Sequence, residues 1–166
     1  MTKVMYVSLL EPGRGVSVNV LRSDDEFIVQ VPIGFDDAAR RVYSLFVAMA
    51  PLMGCADIPG YELTFEVVDA SIDKTDVIAH YDGTATRKFL ADPEDRARVR
   101  NLLLRATELL IDEAQPNQVQ MMTHSAHLPP KALVKFGELC ALFGSKGFIA
   151  GKADSYHGRH IWMMTR

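Results

Sequence analysis

Apolar residues in the first third of the chain gather into three β-rich runs, 4–10, 16–21 and 27–31, separated by Pro12-Gly13-Arg14-Gly15 and Arg22-Ser23-Asp24-Asp25-Glu26. In the second run Val16, Val18 and Val20 alternate with Ser17, Asn19 and Leu21, the period of two expected of a half-buried strand. Such short turns predict an antiparallel meander that opens with an N-terminal hairpin. After Pro32-Ile33-Gly34 the period changes. Val42, Leu45, Phe46, Met49 and Met53 recur at spacings of three and four, which predicts a helix starting at Asp37, capped by Asp36 and ended or kinked at Pro51. Period two returns over 61–70, where Leu63, Phe65 and Val67 alternate with Glu62, Thr64 and Glu66. The runs 76–81 and 84–89 flank Asp82-Gly83, a dipeptide favoured in two-residue hairpins because both turn residues take positive φ, so they are expected to pair.

Asp92-Pro93-Glu94-Asp95 supplies a cap, a first-turn proline and early acids. Val99, Leu102, Leu103, Ala106, Leu109 and Leu110 then form the buried stripe of a long helix that reaches about Glu113 and is broken by Gln115-Pro116-Asn117. Beyond it, 118–123 reads as a strand, 130–143 as a helix and 148–166 as two strands. The strand after the long helix needs a crossover connection, which normally places it parallel to a neighbour. The predicted fold class is α/β in the α+β sense: one domain over residues 1–166 with a mixed, mostly antiparallel sheet flanked by helices, extended by the N-terminal hairpin.

Composition narrows the function classes. Lys and Arg total 18 against 21 Asp and Glu, and a net charge of -3 argues against a general nucleic-acid binder. Cys55 and Cys140 form no Cys-x-x-Cys pair and suit buried free thiols in a reducing cytoplasm. The apolar N-terminus is interrupted by Ser8 and followed at once by Glu11-Pro12-Gly13, as a strand running into a turn would be. No run approaches the roughly 18 apolar residues that span a bilayer, so no membrane partner is expected.

Candidate chemistry concentrates in three places. Arg87, Lys88, Arg96, Arg98, Arg100 and Arg105 surround the start of the long helix, and arginine's planar donors grip two phosphate oxygens at once. Arg96 and Arg100 stand one turn apart on one face. The same residues also fit a solvated face paired with Glu94, Asp95 and Glu108. Two His-x-x-His pairs, His124/His127 and His157/His160, have weak metal-ligand spacing, because positions i and i+3 of a strand face opposite sides; no metal is expected. His124 lies just past the predicted central strand, where strand ends line ligand crevices, and is a candidate base, with Glu66 and His80 as alternatives on neighbouring strands. The methionine pairs Met121-Met122 and Met163-Met164 suit gap-filling in a core.

The word Leu142-Phe143-Gly144-Ser145-Lys146-Gly147-Phe148 resembles the Leu-Tyr-Glu-Lys-Leu-Gly-Phe stretch that ends the last helix of GNAT (Gcn5-related) N-acetyltransferases. The predicted order from about Phe27 onward is similar to that family's strand, helical region, three antiparallel strands, helix, strand, helix and two strands. The resemblance implies acetyl-CoA or another acyl-CoA as acyl donor, a small-molecule or peptide amine as acceptor, and a cleft where the strand at 118–123 splays from its neighbour. It places the coenzyme pyrophosphate at 90–97, on Leu90, Arg96, Ala97 and Arg100. That region lacks the family's glycine-rich loop and carries Asp92, Glu94 and Asp95 instead. The tyrosine that serves many members as general acid falls on Phe143. Direct attack of an amine, with His124, Glu66 or His80 as base, is one expectation; a non-catalytic binding or regulatory protein that has lost the cofactor is the other. The final strands, with Tyr156, Ile161, Trp162 and Met164, are expected to carry a homodimer contact.

Overall fold

The computed structural model describes residues 5–52, 60–73, 75–124, 132–153 and 157–166. Its strands are β1 (Val7–Ser8), β2 (Leu21–Ser23), β3 (Glu26–Asp36), β4 (Arg41–Pro51), β5 (Gly60–Ser71), β6 (Val77–Tyr81), β7 (Gln118–His124), β8 (Ile149–Lys152) and β9 (Arg159–Thr165). Two helices, α1 (Pro93–Ala114) and α2 (Ala132–Ser145), flank β7 in the chain. All strands join one sheet in the order β1-β3-β4-β5-β7-β9-β8, with β2 also on β3 and β6 also on β5. Among the described residues only the β5–β7 pair is parallel, so the expected mixed, mostly antiparallel sheet is present.

Three expectations are corrected. The helix from Asp37 is the strand β4, paired along its whole length with both β3 and β5. Its spacing of three and four coexists with a spacing of two, and Tyr43, Leu45, Val47 and Met49 are all buried. Ser44 and Ala48 on the other face are buried as well; a central strand buried on both faces reads as a near-continuous apolar run, and its valines and aromatics favour extended backbone. Asp36 caps a turn rather than a helix: its carboxylate accepts from Ala39 N at 3.0 Å, and from Met5 N at 3.1 Å.

The N-terminal hairpin is instead an interrupted edge. Both β1 and β2 pair with β3, at Val7↔Phe35 and Leu21↔Ile28 respectively, and not with each other. Between them Val16, Val18 and Val20 pack on the core without joining the sheet, and Arg105 of α1 donates to the Val16 carbonyl at 2.8 Å. The run 84–89 is no strand either. Gly83–Lys88 forms a 3-10 turn, closed by Thr86 Oγ1 donating to the Gly83 carbonyl. Burial of Phe89 explains it, since that ring is surrounded by Tyr43, Tyr6 and Tyr81 with centroids at 4.4, 5.6 and 5.2 Å. An extended hairpin would not deliver Phe89 into this aromatic box.

Both helices cover the same face of the sheet and are tied together by Arg100–Glu138 and by Lys146 with Glu108 and Asp112. Asp92 caps α1 through Glu94 N at 2.9 Å, with Pro93 in its first turn, as expected. Leu102, Leu103, Ala106, Leu110 and Ile111 of α1 and Phe136, Leu139 and Phe143 of α2 meet the buried strand residues in one core. Trp162 and Met164, expected at a subunit surface, are buried in that core instead. Ile161 and Met163 alternate with them and are half-buried on the opposite face, which neither helix covers. Met53, Cys55, His127, the helix start at Pro130 and Tyr156 lie outside the described residues.

Candidate functional site

β5 explains where the site is. On the edge away from β4, it pairs with β7 only over Gly60–Gln118, Tyr61–Val119 and Glu62–Gln120. Further along, Val67 to Ala70 pair with β6. Between these two stretches, residues 63–66 of β5 and 121–124 of β7 lack each other as partners, and the sheet parts. A cleft of about 470 Å³ opens there, bounded by β5, β7, the 3-10 turn, the first turns of α1 and the start of α2.

The helix-covered side of this cleft is cationic and aromatic. Arg87, Arg96, Arg100 and Lys135 line it, with Leu90, Ala97, Phe65 and Phe136 between them. Arg96 holds the loop ahead of α1 through Nη1, which donates to the Leu90 and Ala91 carbonyls at 3.0 and 2.8 Å. The rest of its guanidinium remains available to a ligand. Arg100 leans on Glu138 through Nε at 3.4 Å, and the exposed Arg87 forms no hydrogen bond or ion pair among the described residues. Arg98 is different: it pairs with Glu94 and Asp95, the solvated-face alternative made real. Lys135 Nζ rests over the Phe65 and Phe136 rings, 4.9 and 5.4 Å from their centroids. Burial lowers its pKa below the usual lysine range, and the Asp82 carboxylate partly offsets this.

The uncovered face carries an acid–imidazole pair. Glu66 lines the cleft, and its Oε1 lies 2.8 Å from His80 Nδ1 across the β5–β6 ladder. By strand alternation Glu66 and His80 face away from Phe65 and Val67, hence away from the helices. A carboxylate accepting from Nδ1–H leaves Nε2 with its lone pair, the form in which imidazole takes a proton.

Leu90, Arg96, Ala97, Arg100 and Glu66 therefore stand around one cleft, with His80 held on Glu66. His124 is placed only as a backbone position at the end of β7, opposite Arg159, and its side chain lies outside the described residues. His157 and Gly158 take positive φ in the turn before β9, and among the described residues no three metal-ligating side chains converge. Phe143 is fully buried and packs edge-on against Phe148 at 5.2 Å, so its ring belongs to the core. Lys135 was not among the residues singled out from sequence, because its aromatic partner Phe65 lies far away in the chain; Arg87 was one cation among six. The N-terminus of α1 offers little to an anion, since Asp92 occupies Glu94 N and acids fill the first turn. Scans of protein-family models, of curated proteins and of solved structures find no match to this chain.

Proposed function

We propose that the protein is a coenzyme A-dependent N-acyltransferase of GNAT-like design that transfers an acyl group from acetyl-CoA or another acyl-CoA to an amine. The observation that carries this is the parted β5–β7 pair, which joins a cationic face to a face bearing a candidate base. The order β3-β4-β5, α1, β7, α2 and a final strand pair also parallels the later part of the family's order, three antiparallel strands, helix, strand, helix and two strands, with β6 and the 3-10 turn inserted; the helical region expected from Asp37 has no counterpart there, because 41–51 is the strand β4.

The chain's residues divide the work as follows. Arg87, Arg100 and the uncommitted part of Arg96 would hold phosphates through side-chain donors, replacing the glycine loop that α1 lacks. Acyl-CoA supplies the activated acyl group. From the opposite face, His80 Nε2 accepts a proton from the acceptor ammonium, and Glu66 fixes the tautomer and stabilises the resulting imidazolium. Phe65, Phe136 and Met121 border the gap as its apolar wall. Assembly as a homodimer through the uncovered face near Ile161 and Met163 belongs to the same proposal, and light scattering that gives a monomer near 18.5 kDa would contradict it.

Thermal unfolding with acetyl-CoA is the test. A ligand of the native state at ~100 Kd adds about 2.7 kcal/mol, or roughly 5–10 °C in a domain of this size. No shift at millimolar acetyl-CoA contradicts the proposal. The acid-filled first turn of α1 favours a second reading, a binding protein without turnover. A thermal shift without release of free coenzyme A thiol, across a panel of amines, would select it.

A further inference from the structure

We infer that Lys135 is itself an acylation site, modified by the thioester that the cleft receives. The inference rests on the acyltransferase reading for its donor, but the reactivity of Lys135 follows from its own surroundings. The side chain leaves the first described turn of α2 and ends inside the cleft, with Nζ lying over two aromatic faces, Phe65 on β5 and Phe136 beside it. Phe136 in turn stacks on Trp162 at 4.1 Å with an interplanar angle of 3°, so the platform is fixed. A rigid aromatic floor holds the amine between β5 and β7, where the parted strands admit a ligand.

The other described lysines have different settings. Lys146 is held by Glu108 and Asp112, and these carboxylates raise its pKa. Lys88 is exposed at the end of the 3-10 turn, and Lys152 Nζ lies over the Trp162 ring, 5.7 Å from its centroid. Burial favours the neutral amine of Lys135, whereas the carboxylates around Lys146 favour its ammonium.

The step balances without a further reagent. The Lys135 ammonium loses a proton to solvent, and neutral Nζ adds to the thioester carbonyl carbon. The C–S bond breaks as the C–N bond forms, the thiolate leaves, and the second nitrogen proton goes to it or to water. The products are an amide on Lys135 and free thiol. The positive charge over the two rings is lost, so the modified cleft binds phosphates less well.

Peptide mass mapping over time tests this, with acetyl-CoA in one arm and S-acetyl-N-acetylcysteamine, a small thioester without phosphates, in the other. Lys135 should acquire acetyl faster than Lys88, Lys146 or Lys152 in both arms, because its amine is held inside the cleft over two fixed rings. Lys135→Arg should remove that fast label and no other. Labelling spread evenly over the lysines, or slower at Lys135, overturns the inference. Desulfo-coenzyme A, which cannot react, separates this from the parent proposal. If it stabilises the protein and Lys135 stays unlabelled, the acylation site is wrong and the cofactor proposal stands. If it gives no thermal shift while the small thioester still labels Lys135 first, the cofactor proposal fails and the reactive lysine stands.

Discussion

The two edges of β5 behave oppositely. Against β4 it pairs without interruption from Arg41↔Ser71 to Pro51↔Tyr61; against β7 it pairs over three residues and then parts. On the continuous edge every ladder group has a partner, and the apolar side chains are committed to a core of Val29, Val31, Leu45, Val47 and Met49 under α1. On the parted edge, backbone groups of 63–66 and 121–124 face the cleft, where water or a ligand must satisfy them. One strand thus anchors the fold on one side and holds open a site on the other, and the residues with functional chemistry gather on the second.

Damage to the continuous half should dominate stability. Phe89→Ala empties the box made by Tyr6, Tyr43 and Tyr81 and should cost about 3–5 kcal/mol, read as a fall in the urea midpoint. Because Phe89 also ends the 3-10 turn on the cleft rim, the variant should bind acetyl-CoA more weakly; unchanged affinity would show that the aromatic box does not position the turn. Next in size is Gly34→Ala. A Cβ there would run into the Tyr6 ring, whose hydroxyl donates to the Ile33 carbonyl at 3.0 Å. Displacing Tyr6 should cost roughly 1–3 kcal/mol, and a melting temperature within error of wild type would show that β1 is not anchored by this ring.

Asp69 gives a smaller, pH-dependent effect. It is fully buried, with Arg41 Nη1 at 3.1 Å, and burial raises its carboxyl above the ordinary 3.8 while Arg41 pulls it back. The folded state therefore holds this proton more tightly than the unfolded chain. The group's contribution is complete below 3.8 and is lost as pH rises through its raised folded value. Asp69→Asn, which cannot ionise, should gain on wild type across that window in pH-resolved melts. A difference that stays constant with pH would mean the carboxyl titrates normally. The smallest stability effect belongs to the parted half. Arg96→Ala with Arg100→Ala should cost little beyond the loop bonds to Leu90 and Ala91, about 1 kcal/mol, yet should shrink the acetyl-CoA shift at least by half.

Much of the parted half was legible from sequence. Capping at Asp92, the stripe of α1, the alternation of β5 and the crossover to β7 all depend on local spacing, and those elements stand where the pattern put them. The arginines around 96–100 were visible as a cluster, and the cleft brings Arg87, Arg96 and Arg100 together while sending Arg98 to Glu94 and Asp95. The continuous half misled because its signals are tertiary. Asp36-Asp37 looks like a helix start, but Asp36 secures a tight turn, and β4 carries two periods at once because side chains on both of its faces are buried. Asp82-Gly83 has the composition of a hairpin turn, yet the pull of three tyrosines on Phe89 decides the path of the chain. Lys135 could not be read, since nothing near it in sequence announces the Phe65 ring.

Hydrogen exchange with and without desulfo-coenzyme A tests the cleft as the cofactor site most directly. In the free protein those amides of 63–66 on β5 and 121–124 on β7 that point into the cleft, rather than to β4 or β9, should exchange faster than the amides of β4, whose ladders are complete on both edges. Adding the ligand should slow exchange along the parted edges and in the first turns of α1, leaving β4 unchanged. Protection confined to other parts of the sheet, or no change at saturating ligand, would contradict the assignment of this cleft to an acyl-CoA.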